Sequence, residues 1–264
     1  MSAVWVLTYH SISSGPPPLC VDAARLGAQL DFLRAAGFEP VPLRAWATRG
    51  GRHFAVTFDD GYADFAECAL PVLRARGVPA TLFAVASEER GRIAGGIAGA
   101  RLLEADELRR VAAEPGIEVA GHGVDHVDLT TLADDALARE LAQGAERLAD
   151  WTGRRVEHFA YPFGAFDARV RAAAERAYRA SFTTQLAAVP AAADPHAVPR
   201  IDAYYLDDPG LRRAVRAGRS DGWLARRRFL RRLRGSEPRR PVPTSAERSP
   251  AGALARDQRY ASWQ

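Results

Sequence analysis

An α/β fold built on a parallel sheet, closed or doubly wound, is what this sequence predicts, and three observations carry the prediction. Short β-rich runs alternate with amphipathic helical patterns along most of the chain, which is the signature of strands joined by crossover helices. The 264 residues are 47% hydrophobic, enough to bury one large core, and barrels of this length are commonly single domains. The residues suited to chemistry also recur just after predicted strands, as expected where parallel strands deliver a site at their C-terminal ends.

The elements follow in order. Val4–Thr8 reads as the first strand, followed by a helix from about Asp22 to Ala36. Phe54–Phe58 precedes a helix from about Phe65 to Arg76, and Thr81–Val85 one from about Asp106 to Ala113. Ile117–Ala120 precedes about Asp134 to Trp151, and His158–Ala160 about Asp167 to Arg176. Ala180–Thr184 and Val198–Ile201 are further short strands. No internal repeat is visible. From about Arg219 the alternation stops, giving an Arg-rich segment and then EPRRPVPTSAERSPAGA, whose Pro, Ser and Ala content predicts a flexible tail. The expected division is a domain over 1–218 and a basic tail over 219–264.

Composition removes several functions. There is no lysine, so all 36 basic side chains are arginine and Schiff-base or catalytic-lysine mechanisms are excluded. Residues 212–264 hold 15 Arg against 4 acidic groups, while 1–211 hold 21 against 28. The pI of 9.4 therefore describes the tail, and the body is not expected to bind nucleic acid. Cys20 and Cys68 are too few for a disulfide framework and lack metal-ligand spacing, so they read as buried thiols. The opening MSAVWVLTYH has no basic n-region and no signal-length apolar run, and no stretch reaches the roughly 20 apolar residues that span a bilayer. The expected location is cytoplasmic.

Two segments carry the chemistry. In Thr57-Phe58-Asp59-Asp60-Gly61-Tyr62 an apolar strand runs into two carboxylates and a glycine. Because successive strand residues point to opposite sides, Asp59 and Asp60 can take different tasks, one binding a metal and one taking a proton. An isolated DDG is more readily a solvated turn. In Gly121-His122-Gly123-Val124-Asp125-His126 two histidines four apart can converge on one ion, and neutral imidazole suits zinc, cobalt, nickel or iron. Together the segments offer two histidines and a carboxylate with open coordination positions, the arrangement of metal-assisted hydrolysis. His10 and Tyr161-Pro162-Phe163-Gly164 also follow predicted strands. His53 and His158 precede theirs, which places them at the opposite face, and His196, in a Pro- and Ala-rich loop, is expected at the surface.

TFDDGY, the spaced histidines of GHGVDH, FAYPFG and the closing PRID stand in the order found in the polysaccharide deacetylases, carbohydrate esterase family 4, with their NodB-homology domain. The sequence resembles that family over roughly residues 4–205. The resemblance implies a distorted (β/α) barrel of the NodB-homology type and a metal-dependent hydrolase removing acetyl groups from N-acetylated amino sugars. It implies Asp59 as general base, Asp60, His122 and His126 as ligands of a divalent metal, zinc first among the candidates, and the Phe163 N–H as a donor to the oxyanion.

The chain departs from the family in three places. Gly123 stands where the family usually has Ser or Thr, so a loop-fixing hydroxyl is missing. Ala160 stands where an arginine often orients the base; Arg200 is a candidate to supply that charge, or is a structural ion pair. No Leu-x-His is found near the end, where many members keep the catalytic acid, and the subgroup with Tyr-His after the first strand points to His10 instead. The aromatic residues Tyr62, Phe163, Tyr204 and Tyr205 either face a sugar ring or fill the barrel. The family also leaves open an amidohydrolase acting on a small metabolite and a catalytically silent sugar-binding relative. In the tail, Trp223, Leu224, Phe229, Leu230 and Leu233 interleave with arginines, so a helix there predicts peripheral contact with an anionic membrane, against a solvated tail or a helix docked on the barrel.

Overall fold

The computed structural model describes residues 3–47, 52–87, 93 and 96–233. Strands β1 (Ala3–Tyr9), β2 (Glu39–Pro40), β3 (Arg52–Phe58), β4 (Ala80–Ala84), β5 (Ile117–Gly121), β6 (His158–Ala160), β7 (Ala180–Leu186) and β8 (Val198–Asp202) form one parallel sheet. Its order is β1-β8-β7-β6-β5-β4-β3-β2, and β1 also pairs with β3 from Ala3↔Arg52 to Tyr9↔Phe58. That second pairing closes seven strands into a barrel and leaves the two-residue β2 on the outer edge of β3. The closed (β/α) barrel is the distorted barrel expected from the sequence.

Helices α1 (Ala23–Ala35), α2 (Leu70–Arg76), α3 (Ala105–Ala113), α4 (Asp134–Thr152), α5 (Ala168–Ala177), α6 (Pro209–Arg216) and α7 (Ser220–Leu233) accompany the strands. Their starts are written in the sequence as side-chain caps. Asp22 accepts from Arg25 N, Asp167 from Val170 N and Asp208 from Gly210 N, each satisfying an otherwise orphaned helix donor. At the other end, α2 and α4 stop at Gly77 and Gly153, both in the left-handed conformation that a side chain disfavours.

Alternation along the strands separates two apolar layers. Trp5, Leu7, Phe54, Val56, Phe58, Leu82 and Phe159 pack outward beneath the helices, whereas Val6, Ala55, Phe83, Ala120, Ala160 and Phe182 fill the barrel itself. At the end where the strands begin, His158 pairs with Glu118, which also accepts from Thr81. His53 and His158 therefore lie opposite the strand C-termini, as predicted.

His196 is a correction to the sequence reading. It is buried rather than at the surface, with Nδ1 3.2 Å from Ser181 Oγ and its carbonyl accepting from Tyr161 Oη. The reason is that the 187–197 segment folds back on β7, where Ser181 N donates to Pro195 O. A loop's composition does not report such a return path.

The basic C-terminal segment opens as α7. Leu224 is buried, Trp223 meets Tyr205 edge-on at 5.8 Å, and the Arg227 guanidinium lies over the Tyr205 ring. Residues 234–264 of that segment lie outside the described residues.

Candidate active site

The strand alternation that builds β3 also sorts its two carboxylates. Ala55 and Thr57 face the barrel interior, and Asp59 continues on that side. Asp60 then takes φ +73°, a left-handed conformation uncommon outside glycine, and so turns away from its neighbour. The two carboxyl groups, adjacent in sequence, acquire different surroundings.

Asp59 is 3% exposed and grips Arg200 in a two-pronged pair, Oδ1 to Nη1 at 2.6 Å and Oδ2 to Nη2 at 2.7 Å. The arginine is fixed in turn by Nε to Thr183 O at 3.0 Å, by Nη1 to Thr57 Oγ1 at 3.2 Å and by stacking over Phe83. Burial pushes the Asp59 carboxyl up, but Arg200 and then His122 outweigh it and hold it below the usual range. The group is therefore an ionised carboxylate at neutral pH, oriented by a planar fork that lysine cannot reproduce. Ala160 lines the same interior, so its small side chain leaves room for the guanidinium that β8 supplies.

Asp60, His122 and His126 converge, each offering one ligand atom within 4.8 Å of the others. Asp60 Oδ1 is buried and has no hydrogen-bond partner, yet stands 3.4 Å from His122 Nε2 and 3.3 Å from His126 Nε2. Those spacings suit a cation: two atoms each about 2.1 Å from a tetrahedral ion lie about 3.4 Å apart. His122 Nδ1 is 2.7 Å from Ala160 O, so it carries the proton and leaves Nε2 bare toward Asp60. Burial pushes Asp60 up, but His126 and His122 draw it well below the ordinary carboxylate range; His122 is pulled down by burial and raised more by Asp60 and Asp59. A buried orphan oxygen, two aligned imidazole nitrogens and three ligands in all fit a divalent ion with open coordination positions.

The remaining expected residues border this group. His10 is half-buried just beyond β1, near enough for its charge to act on Asp59, Asp60 and Asp202. Phe163 takes φ +59°, and its ring lies 4.6 Å from that of His126. Tyr204 is exposed, while Tyr62 and Tyr205 are buried, with Tyr62 Oη accepting from Ile97 N. The Tyr62 hydroxyl also lies beside the Asp60 carboxylate, whereas Tyr205 packs against Trp223.

One participant carried no sequence signal. Glu140, in the middle of α4, reaches the histidine loop and accepts from Val124 N at 2.8 Å and Asp125 N at 3.3 Å. Nothing in DDALARELAQGAERLADWT distinguishes it from a surface glutamate, apart from the small Gly144 one turn later.

The family profile described as polysaccharide deacetylase matches residues 47–180, half of the chain and both segments of the metal triplet. The chain belongs to the polysaccharide deacetylase family. This deacetylase-family chain is 28% identical over 188 residues to a putative polysaccharide deacetylase, YxkH, of Bacillus subtilis, covering 68% of this chain and 64% of that protein. It is 26% identical over 121 residues to chitin deacetylase 1 of Cryptococcus neoformans, covering 46% of this chain and 23% of that one. The chain thus spans less than two thirds of the length of these curated relatives. In fold, it is similar to IcaB from Ammonifex degensii, with TM-score 0.68 and 24% identity over 83% of this chain and 97% of that one. It is also similar to the deacetylase PplD of Streptococcus pyogenes, with TM-score 0.65 and 23% identity over 76% and 92%. The family is metal-dependent, in keeping with the Asp-His-His group.

Proposed function

We propose that this polysaccharide deacetylase family member is a metal-dependent hydrolase that removes acetyl groups from N-acetylated amino sugars, in polysaccharide, oligosaccharide or lipid-linked form. The observation that carries the reading is the division of labour at the end of β3. One carboxylate belongs to a buried metal-ligand triplet, and the adjacent one is held by a buried arginine as a separate base. Asp60, His122 and His126 would hold the ion, with zinc favoured by the two imidazoles and one carboxylate, and cobalt, nickel and iron as alternatives. When bound, such an ion lowers the pKa of water toward about 7 and polarises the acetyl carbonyl.

Each remaining task falls to a residue of this chain. Asp59, ionised and oriented by Arg200, takes the proton of the attacking water on a carboxylate oxygen. The Phe163 N–H, set by the left-handed turn of its segment, donates to the oxygen that becomes negative. His10 donates a proton to the departing amine, without which an amide would expel a poor leaving group. Arg200 touches neither water nor sugar in this scheme and acts through Asp59.

Acetate release from chito-oligosaccharides, set against small cyclic and linear amides, tests the reading directly. Turnover of the sugars alone supports it; turnover of the small amides alone would replace it with a metabolite amidohydrolase. Sugar binding without turnover in the metal-loaded protein would make it a silent relative. His10→Ala is expected to keep its metal and lower amide turnover by roughly 10² to 10⁴. Esters with good leaving groups should lose much less, and an equal loss on both substrate types would remove His10 as the acid.

The C-terminal helix supports a second part of the proposal, peripheral contact with an anionic membrane at its cytoplasmic face. Docking of Trp223 and Leu224 leaves Phe229 and Leu233, four residues apart, 60% and 70% exposed beside the exposed Arg226 and Arg232. A paired apolar tip within a cationic face suits insertion among acidic headgroups. Among the described residues no helix is long and apolar enough to cross a membrane. Phe229→Ser with Leu233→Ser should abolish co-sedimentation with anionic vesicles at low salt and leave turnover of a soluble substrate near normal. Undiminished sedimentation of that variant would overturn the membrane reading.

A further inference from the structure

We propose that Glu140 is a positioning residue for the metal centre: from α4 it performs the loop-fixing task for which Gly123 has no hydroxyl, and so sets how tightly Asp60, His122 and His126 hold a divalent cation. The inference rests on the metal-site reading above.

The loop after β5 must bring two imidazole nitrogens to one carboxylate oxygen within five residues. It does so with left-handed backbone at Gly123, φ +83°, and at His126, φ +52°, the latter a conformation that a side chain disfavours. Such a turn persists only where its surroundings fix it. Glu140 Oε2 receives the N–H groups of both Val124 and Asp125, the residues between the two metal-ligand histidines and outside either imidazole. On the other side, Ala86 N donates to Gly123 O, so the loop is held from two directions.

The geometry also explains the glycine. A Cβ built at Gly123 would stand 2.9 Å from Glu140 Oε2, and one at Gly144 would stand 3.4 Å from the Gly123 carbonyl. A hydroxyl-bearing side chain at 123 and a carboxylate from α4 therefore compete for the same space. The chain has the carboxylate, with glycines at 123 and 144 permitting the close approach. A buried oxygen accepting two backbone donors in a charge-assisted pair is a stiff restraint. Loosening it would let His122 Nε2 and His126 Nε2 drift relative to Asp60 Oδ1 while leaving the Asp59–Arg200 pair untouched.

The test uses the full chain, stripped of metal and titrated with zinc against a chromophoric chelator, with amide hydrogen exchange read at Val124 and Asp125. Glu140→Ala is expected to raise the zinc Kd about 10- to 100-fold, the range for outer-shell partners of metal ligands. Exchange at the two amides should quicken. Glu140→Gln, which keeps an acceptor oxygen at full reach, should restore the Kd toward wild type. Glu140→Asp keeps the charge but is one methylene short and should behave like alanine. If Glu140→Ala does not fold, amide exchange in the Gln and Asp variants decides the matter: it should stay slow at Val124 and Asp125 in Glu140→Gln and quicken in Glu140→Asp, whereas a role in packing alone would leave both amides unchanged in both variants. An unchanged Kd in Glu140→Asp, or unaltered exchange at Val124 and Asp125, would overturn the proposal. Failure of the wild type to bind zinc would instead remove the metal-site reading, and the exchange rates would still report whether Glu140 fixes the loop.

Discussion

Replacement of any one of Asp60, His122 or His126 by alanine is expected to strip most of the bound metal and to reduce acetate release to background. Three protein ligands leave no redundancy, since the other positions belong to water and substrate. The expectation differs from general destabilisation because the three side chains are buried just beyond the ends of β3 and β5, outside both apolar layers of the barrel. The variants should therefore fold and remain monodisperse while elemental analysis finds little metal. Stoichiometric metal retained by any of the three would defeat its assignment as a ligand. Binding should also weaken as pH falls, because protons compete with the ion for the imidazoles and the carboxylate.

Asp59→Asn is expected to do the opposite with the metal and the same with turnover. The variant should hold metal as the wild type does, since Asp59 faces Arg200 and Asp60 faces the histidines. Turnover should drop by roughly 10² to 10⁴, the contribution of a positioned general base. Full activity would remove Asp59 from that role. A second readout follows from the ion pair. Taking one partner from a buried pair costs about 3–5 kcal/mol when nothing replaces it. Asparagine retains one acceptor oxygen, so a loss toward the lower end is expected. The pH dependence has a definite sign. Arg200 depresses the Asp59 carboxyl in the folded protein, so the stability it contributes is fully present above the unfolded carboxylate pKa of about 3.9. That stability is lost as pH falls through the lower folded value. The asparagine variant lacks this contribution, so its melting temperature should fall less steeply than the wild type's on the acid side.

The ease of reading this chain varied with how locally each feature is encoded. Helix starts were accessible because Asp22 and Asp167 cap their own helices, and strand positions were accessible because buried parallel strands are short apolar runs. The two-residue β2 and the helix α6, which opens on Pro209-Gly210 and has three arginines among its eight residues, present no such run. The geometry unites Asp60 with His122 and His126, three residues that two short segments already singled out. Arg200 was signalled indirectly, by the missing charge at Ala160. Glu140 carried no signal, because a helix position tells which way a side chain points only once the packing of that helix is known. The burial of His196 has no sequence signal for the same reason, since it depends on a loop returning to β7.

The pairing of β1 with β3 has a consequence for how the protein becomes competent. Asp59 stands directly after β3 and Arg200 on β8, 141 positions further along, with β1 the strand that joins their two strands into one ring. Until that ring shuts, the carboxylate proposed to take a proton lacks the Arg200 guanidinium that orients it. A proteolytic or truncated fragment that ends before Val198 would carry Asp59, Asp60, His122 and His126 and still be inert, because its base would be unaligned. Acetate release is thereby a late marker of folding: it should recover only with the final closure of the ring, after helix content and compactness have already returned.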